Sequence, residues 1–166
     1  MCKQYVNANV ICFGTIISEN DAPLAFCNPF DTFHPSKSRN GYELPGFQVM
    51  SYINILGTAD KEKQSSHILY QENKSLDFIL RLTKCDEDPN KRFYYDLDAF
   101  QINIKELREN HKVDGACFDF INYARTTNVP SFKVERSGSY VIKLLVKEST
   151  DSQYAVQFIK RMQVEN

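Results

Sequence analysis

An all-β, mostly antiparallel sandwich is the fold class this sequence predicts, and three observations carry the prediction. Apolar and polar side chains alternate with period two through several separate segments, which gives each segment one face suited to a dry interior. Turn-forming residues punctuate the chain between those segments, and only one stretch has helical spacing. Aromatic residues make up 13% of the 166 residues, all of them Phe or Tyr, and these types favour the half-buried pleated surface of a sheet.

In chain order, Val6, Ala8, Val10 and Cys12 alternate with Asn7, Asn9 and Ile11, so a first strand is expected over residues 5–17. Residues 18–46 hold four of the six prolines (Pro23, Pro29, Pro35 and Pro45) with Asn28, Asp31, Asn40 and Gly41, which predicts one long N-terminal loop. Phe47–Leu56 is a β-branched and aromatic run, residues 58–65 a solvated connection, and residues 67–71 a short strand. Leu76, Phe78, Leu80 and Leu82 then face one way and Asp77, Arg81 and Thr83 the other, with Ile79 the exception. That is a half-buried strand.

Residues 85–91 are turn chemistry and residues 92–104 resume a strand, so the two runs are expected to form a hairpin. Ile104, Leu107 and Arg108 allow two turns of helix, the only one expected. Ala116, Phe118 and Phe120 start another alternating run that reaches a loop at Asn128-Val129-Pro130. In the last third, Tyr140, Ile142, Leu144 and Val146 share a face with Lys143 and Lys147 opposite, the pattern of a strand wet on one side. Tyr154, Val156 and Phe158 open the final strand.

The length fits a single domain, residues 1–166, with a substantial core. Twenty Lys and Arg are scattered among 21 Asp and Glu for a net charge of −1. No basic stripe exists for nucleic acid or anionic lipid, and neither is expected as a partner. No signal-peptide pattern and no apolar run near spanning length is present, so a soluble cytoplasmic protein is expected. Cys2, Cys12, Cys27, Cys85 and Cys117 are odd in number and lack zinc-ligand spacing, which suits reduced core thiols.

The run from Phe132 through Ser137-Gly138-Ser139-Tyr140 to Val146 resembles the closing hairpin of immunoglobulin-like sandwiches, in which a Gly-x-Tyr step leads the penultimate strand. Together with a strand such as Leu76–Thr83 it is also similar to small uncharacterised bacterial and phage sandwich proteins. The resemblance implies an immunoglobulin-like fold and carries over no catalytic residues.

Three functional readings arise. The segment 18–46 interleaves Phe26, Phe30, Phe33 and Tyr42 with its prolines, and Phe47 follows directly at its end. These rings either close an open end of the sandwich or anchor a protein partner or a second copy of the chain. The second option makes the protein a non-enzymatic interaction or assembly module, presenting that segment or an unpaired sheet edge, with Lys143 and Lys147 guarding an edge strand. An alternative uses Asp86, Asp88, Asp96 and Asp98 as oxygen ligands of a ligand- or Ca²⁺-binding sandwich, against the plainer reading of a solvated hairpin tip. A third is a hydrolase whose site converges only on folding, drawing on His34, His67 or His111. The common nucleophile, metalloprotease and phosphate-loop motifs are absent from the sequence. No enzymatic activity and no cofactor is expected.

Overall fold

The period-two runs become long strands, and the proline-rich stretch becomes short ones. The computed structural model describes residues 4–19, 22–58, 60–64, 66–85, 94–110 and 120–165, with backbone alone for residues 15–19, 22–28, 38, 61 and 64. The strands are β1 (Val6–Glu19), β2 (Ala22–Pro29), β3 (Thr32–Phe33), β4 (Ser36–Ser38), β5 (Gly41–Leu44), β6 (Phe47–Leu56), β7 (Ser75–Lys84), β8 (Tyr94–Asn103), β9 (Phe120–Val129), β10 (Phe132–Val134), β11 (Gly138–Glu148) and β12 (Ala155–Val164). The helices are short: α1 (Lys61–Gln64), a 3-10 turn at Ile68–Tyr70, and α2 (Ile104–Asn110). No helix among the described residues is long and apolar enough to cross a membrane.

The strands form a four-stranded sheet, β2-β1-β6-β9, a five-stranded sheet, β3-β12-β11-β7-β8, and a small one, β10-β5-β4. Only β3 with β12 is parallel among the described pairs. This is an all-β sandwich, the expected class. Its shared layer takes Val6, Val10 and Cys12 from β1 and Val49, Ile53 and Ile55 from β6. Opposite them lie Leu76, Phe78, Leu80 and Leu82 of β7 and Tyr140, Ile142, Leu144 and Val146 of β11. None of these side chains is more than 2% exposed, and full burial of each large one contributes about 1.5–3 kcal/mol.

Helical turns close one end. Asn103 caps α2 by accepting the Glu106 N–H at 3.2 Å, and Ile104 and Leu107 join Ile68 and Leu69 in the core. Residues 67–71, expected as a strand, form the 3-10 turn because His67 Nδ1 accepts the Leu69 N–H at 3.3 Å and caps it. The connection 58–65 includes α1.

The long loop over 18–46 requires correction. β1 runs on to Glu19 and turns back as β2, and β3, β4 and β5 follow. The prolines do not forbid this. Pro23 and Pro29 lie on β2, an edge strand that among the described strands is bonded to β1 alone, where a missing donor is tolerated. Pro35 and Pro45 fall in the gaps between strands. At the β4–β5 turn Gly41 adopts φ +129°, and a Cβ there would stand 2.3 Å from the Val134 carbonyl oxygen.

The expected 76–83 with 92–104 hairpin is β7–β8. The run from Phe132 to Val146 is not a hairpin: β10 pairs with β5, while β11 pairs with β12 and β7. β11 is therefore interior, and Lys143 and Lys147 guard no edge. They stand on the wet face of the five-stranded sheet.

Candidate interaction surface

That wet face departs from plain alternation. Inter-strand register places Val156 beside Leu145, Leu145 beside Ile79 and Ile79 beside Ala99. An apolar row thus crosses β12, β11, β7 and β8 on the side away from the core. A β-bulge in β12 at Gln157 makes this possible, because the pairing jumps from Phe158 with Leu144 to Val156 with Leu145. Phe158 stays inward while Val156 turns outward. Val156 is 42% exposed and Ile159, beside the row, 53%.

Charged rows flank the apolar one. On one side Arg81 donates to Asp96 from Nε and Nη2, at 2.5 and 3.0 Å, and its guanidinium carbon lies 4.1 Å from the Tyr94 ring centroid. Hydrogen bonding to Asp96 raises the Arg81 pKa further above its usual value, against partial desolvation. On the other side Lys147 sits 3.9 Å from Asp77 and 5.1 Å from the Tyr154 ring. The charges divide by position: Lys143, Lys147 and Arg161 lie on β11 and β12, while Asp77 and Asp96 lie on β7 and β8 with Arg81.

Among the proposed aromatic anchors, Phe33 and Phe47 are 1% and 3% exposed. They form a cluster with Phe30 in edge-to-face contacts, centroids 5.0–5.7 Å apart. Phe30 and Tyr42 are half-buried against the core. The side chain of Phe26 lies outside the described residues. The four described rings thus pack onto or into the core, with Phe33 and Phe47 inside it.

Of the acidic set, Asp86 and Asp88 lie outside the described residues. Asp96 is held by Arg81, as above. Asp98 accepts from Arg125 Nε at 2.7 Å and Nη2 at 3.3 Å, and from Thr127 Oγ1 at 2.7 Å. This bridge ties β8 of one large sheet to β9 of the other. Burial pushes the Asp98 carboxyl up, but hydrogen bonds from Arg125 and Thr127 outweigh it and hold the pKa below its usual value. A calcium ion at either carboxylate would have to displace a guanidinium. No group of three or more His, Cys, Asp or Glu able to hold a metal occurs among the described residues.

The described histidines do not converge. His67 serves as a cap and packs 5.5 Å from Tyr5 and 5.9 Å from Tyr70, and burial lowers its pKa. His34 Nδ1 meets Glu165 Oε2 at 2.8 Å, but the two side chains are 76% and 54% exposed and line no described cleft. His111 lies outside the described residues. A cleft of about 460 Å³ holds Asp31, Cys85, Ser139 and Arg161 without a histidine. Cys12 is buried, and desolvation pushes its thiol up to about 12, which keeps it protonated and inert.

Fold and site together define a β-sandwich with an apolar row on the solvent side of one sheet. No family model matches the chain, and no curated protein matches it. Among solved structures, the CooA pilin subunit from enterotoxigenic Escherichia coli aligns over 96% of this chain and 95% of its own, at 9% identity with a TM-score of 0.33. Likeness of that degree does not define a shared topology.

Proposed function

We propose that this chain is a non-enzymatic protein-interaction or assembly module whose contact surface is the outer face of the five-stranded sheet. One observation carries the reading: Val156, Leu145, Ile79 and Ala99 make an unbroken apolar row where strand alternation calls for polar residues. Apolar residues on the outer face of a sheet, with Val156 and Ala99 exposed, Ile79 half-buried and Leu145 8% exposed between them, are accounted for by a partner that covers the row. The ion pairs on either side form the polar rim such a contact needs.

The same reading takes the sandwich as immunoglobulin-like, on the Gly138-x-Tyr140 step alone. It places the protein in the cytoplasm, where free thiols such as Cys12 and Cys85 persist. The reading is tested with a photo-crosslinking amino acid at Ile159, 53% exposed, and a second at Lys37 on β4, away from the face. Crosslinked protein products at Ile159 but not at Lys37 are expected; equal products at both, or none at Ile159, refute it.

A further inference from the structure

We infer that the partner is a second copy of this chain, packed face to face through the outer surface of β12-β11-β7-β8 about a two-fold axis that runs along the strands between β11 and β7. The inference rests on the interaction reading above and names its occupant.

Charge distribution selects the partner and the axis. A two-fold along the strands keeps each row in place and exchanges its ends, so β11 of one copy faces β7 of the other and β12 faces β8. The half bearing Lys143, Lys147 and Arg161 then covers the half bearing Asp77 and Asp96. Lys147 comes opposite Asp77. Arg161 comes opposite Tyr94, 56% exposed, a ring that already attracts the Arg81 guanidinium within its own chain. Lys143 comes opposite Arg81, whose charge the Asp96 carboxylate offsets.

In the apolar row Val156 meets Ala99 and Leu145 meets Ile79, a medium residue over a small one at the rim and the two largest at the centre. A two-fold across the strands sets Arg81 against Asp77 but lays the half bearing Lys143, Lys147 and Arg161 on its own copy, with Lys143 against Lys147, and that overlap of the cationic halves opposes it. Isologous contacts of this kind are the commonest in soluble oligomers.

The area suffices. Four strands about 4.8 Å apart and ten residues long at about 3.4 Å each present a face of roughly 650 Å². Two such faces together bury on the order of 1,300 Å², within the range of specific interfaces.

Sedimentation of the wild-type chain from micromolar to hundreds of micromolar should show a monomer–dimer equilibrium, and Val156→Arg should raise the dissociation constant at least tenfold without changing the circular dichroism spectrum. The orientation is read by a short thiol crosslinker on a background whose native cysteines are replaced by alanine. Residues opposite one another on facing sheets lie about 10 Å apart, within reach of a bismaleimide spanning about 8–10 Å, whereas Ala99 and Val156 of one chain lie three strand spacings apart, about 14 Å. The reagent should give covalent dimers of Ala99→Cys/Val156→Cys, whereas each single variant should not.

A wild type that remains monomeric throughout overturns the inference, while crosslinked products of other proteins at Ile159 would keep the interaction reading. A dimer that survives Val156→Arg unchanged also overturns it, because the chain then associates through another surface. A dimer dissolved by Val156→Arg but never crosslinked by the double variant overturns the stated axis.

Discussion

Asp98 offers the sharpest test of how the two large sheets are joined. Replacing it with Ala removes three hydrogen bonds that end on a charge, each worth about 1.5–3 kcal/mol when the groups are dry. Arg125 is 36% exposed, so its guanidinium rehydrates once released and much of that value is recovered. Thr127, 8% exposed, does not rehydrate and keeps an unpaired hydroxyl. The balance predicts a loss of about 2–3 kcal/mol, or roughly 5–10 °C in melting temperature for a chain of this size. Urea unfolding of Asp98→Ala, Arg125→Ala and the double variant should return a coupling of about 1–2 kcal/mol.

Acid provides an independent check with a definite sign. Because the folded carboxyl titrates below its unfolded value, the unfolded chain binds more protons between the two, and the stability Asp98 contributes is full above about pH 4 and disappears as pH falls through the folded pKa. The gap between wild type and Asp98→Asn should therefore shrink as pH falls below about 4. A coupling indistinguishable from zero, or a gap that widens in acid, would show that the bridge holds nothing together.

Two further outcomes follow from the end of the sandwich closed by the short strands. Gly41 and Gly138 both have positive φ, +129° and +120°, but an added Cβ meets the Val134 oxygen at 2.3 Å in the first and only Lys84 Cε at 3.9 Å in the second. Backbone strain of about 1 kcal/mol is common to both, so denaturant unfolding should find Gly41→Ala at least about 2 kcal/mol worse than Gly138→Ala; equal losses would contradict the close approach. Phe33→Ala should cost about 3–5 kcal/mol as a buried ring deletion, measured the same way, and a cost below about 1 kcal/mol would return the 26–47 rings to the surface as contact residues.

The sandwich was legible because its strands are locally consistent. The inward set of β7, Leu76, Phe78, Leu80 and Leu82, is readable by counting to two. Residues 18–46 misled because proline reads as a break, whereas an edge strand tolerates one wherever no donor is required. His67–Gln71 misled because a capping imidazole leaves little mark on a five-residue window.

The apolar row left a trace in the sequence at Ile79, the one residue out of phase in its strand, and Leu145 repeats the anomaly among Lys143 and Lys147. Two exceptions 66 positions apart form no pattern until the β7–β11 register sets them side by side. Val156 was beyond reach, since the bulge at Gln157 reverses its face and a bulge of this kind has no reliable signature in residue type. The Asp98–Arg125 bridge was hidden for a related reason, as it joins strands of different sheets.

How the edges are finished explains why association should use a face. β2 withholds donors at Pro23 and Pro29. β8 carries a bulge in its pairing with β7 and lies against β9 under the Asp98 bridge. β3 caps β12 at Gln163 and Val164, and Gln157 Nε2 donates to the Val6 carbonyl farther along. Each device discourages backbone pairing with another chain. No comparable protection exists at Ile79, whose strand neighbours on the same face are Asp77, Arg81 and Thr83. A polar residue there would fit the wet side without touching the core. Leu145 is already sheltered by its neighbours, but Val156, Ala99 and the half-buried Ile79 still meet water, and on a sheet with protected edges face-to-face burial is the arrangement that covers them.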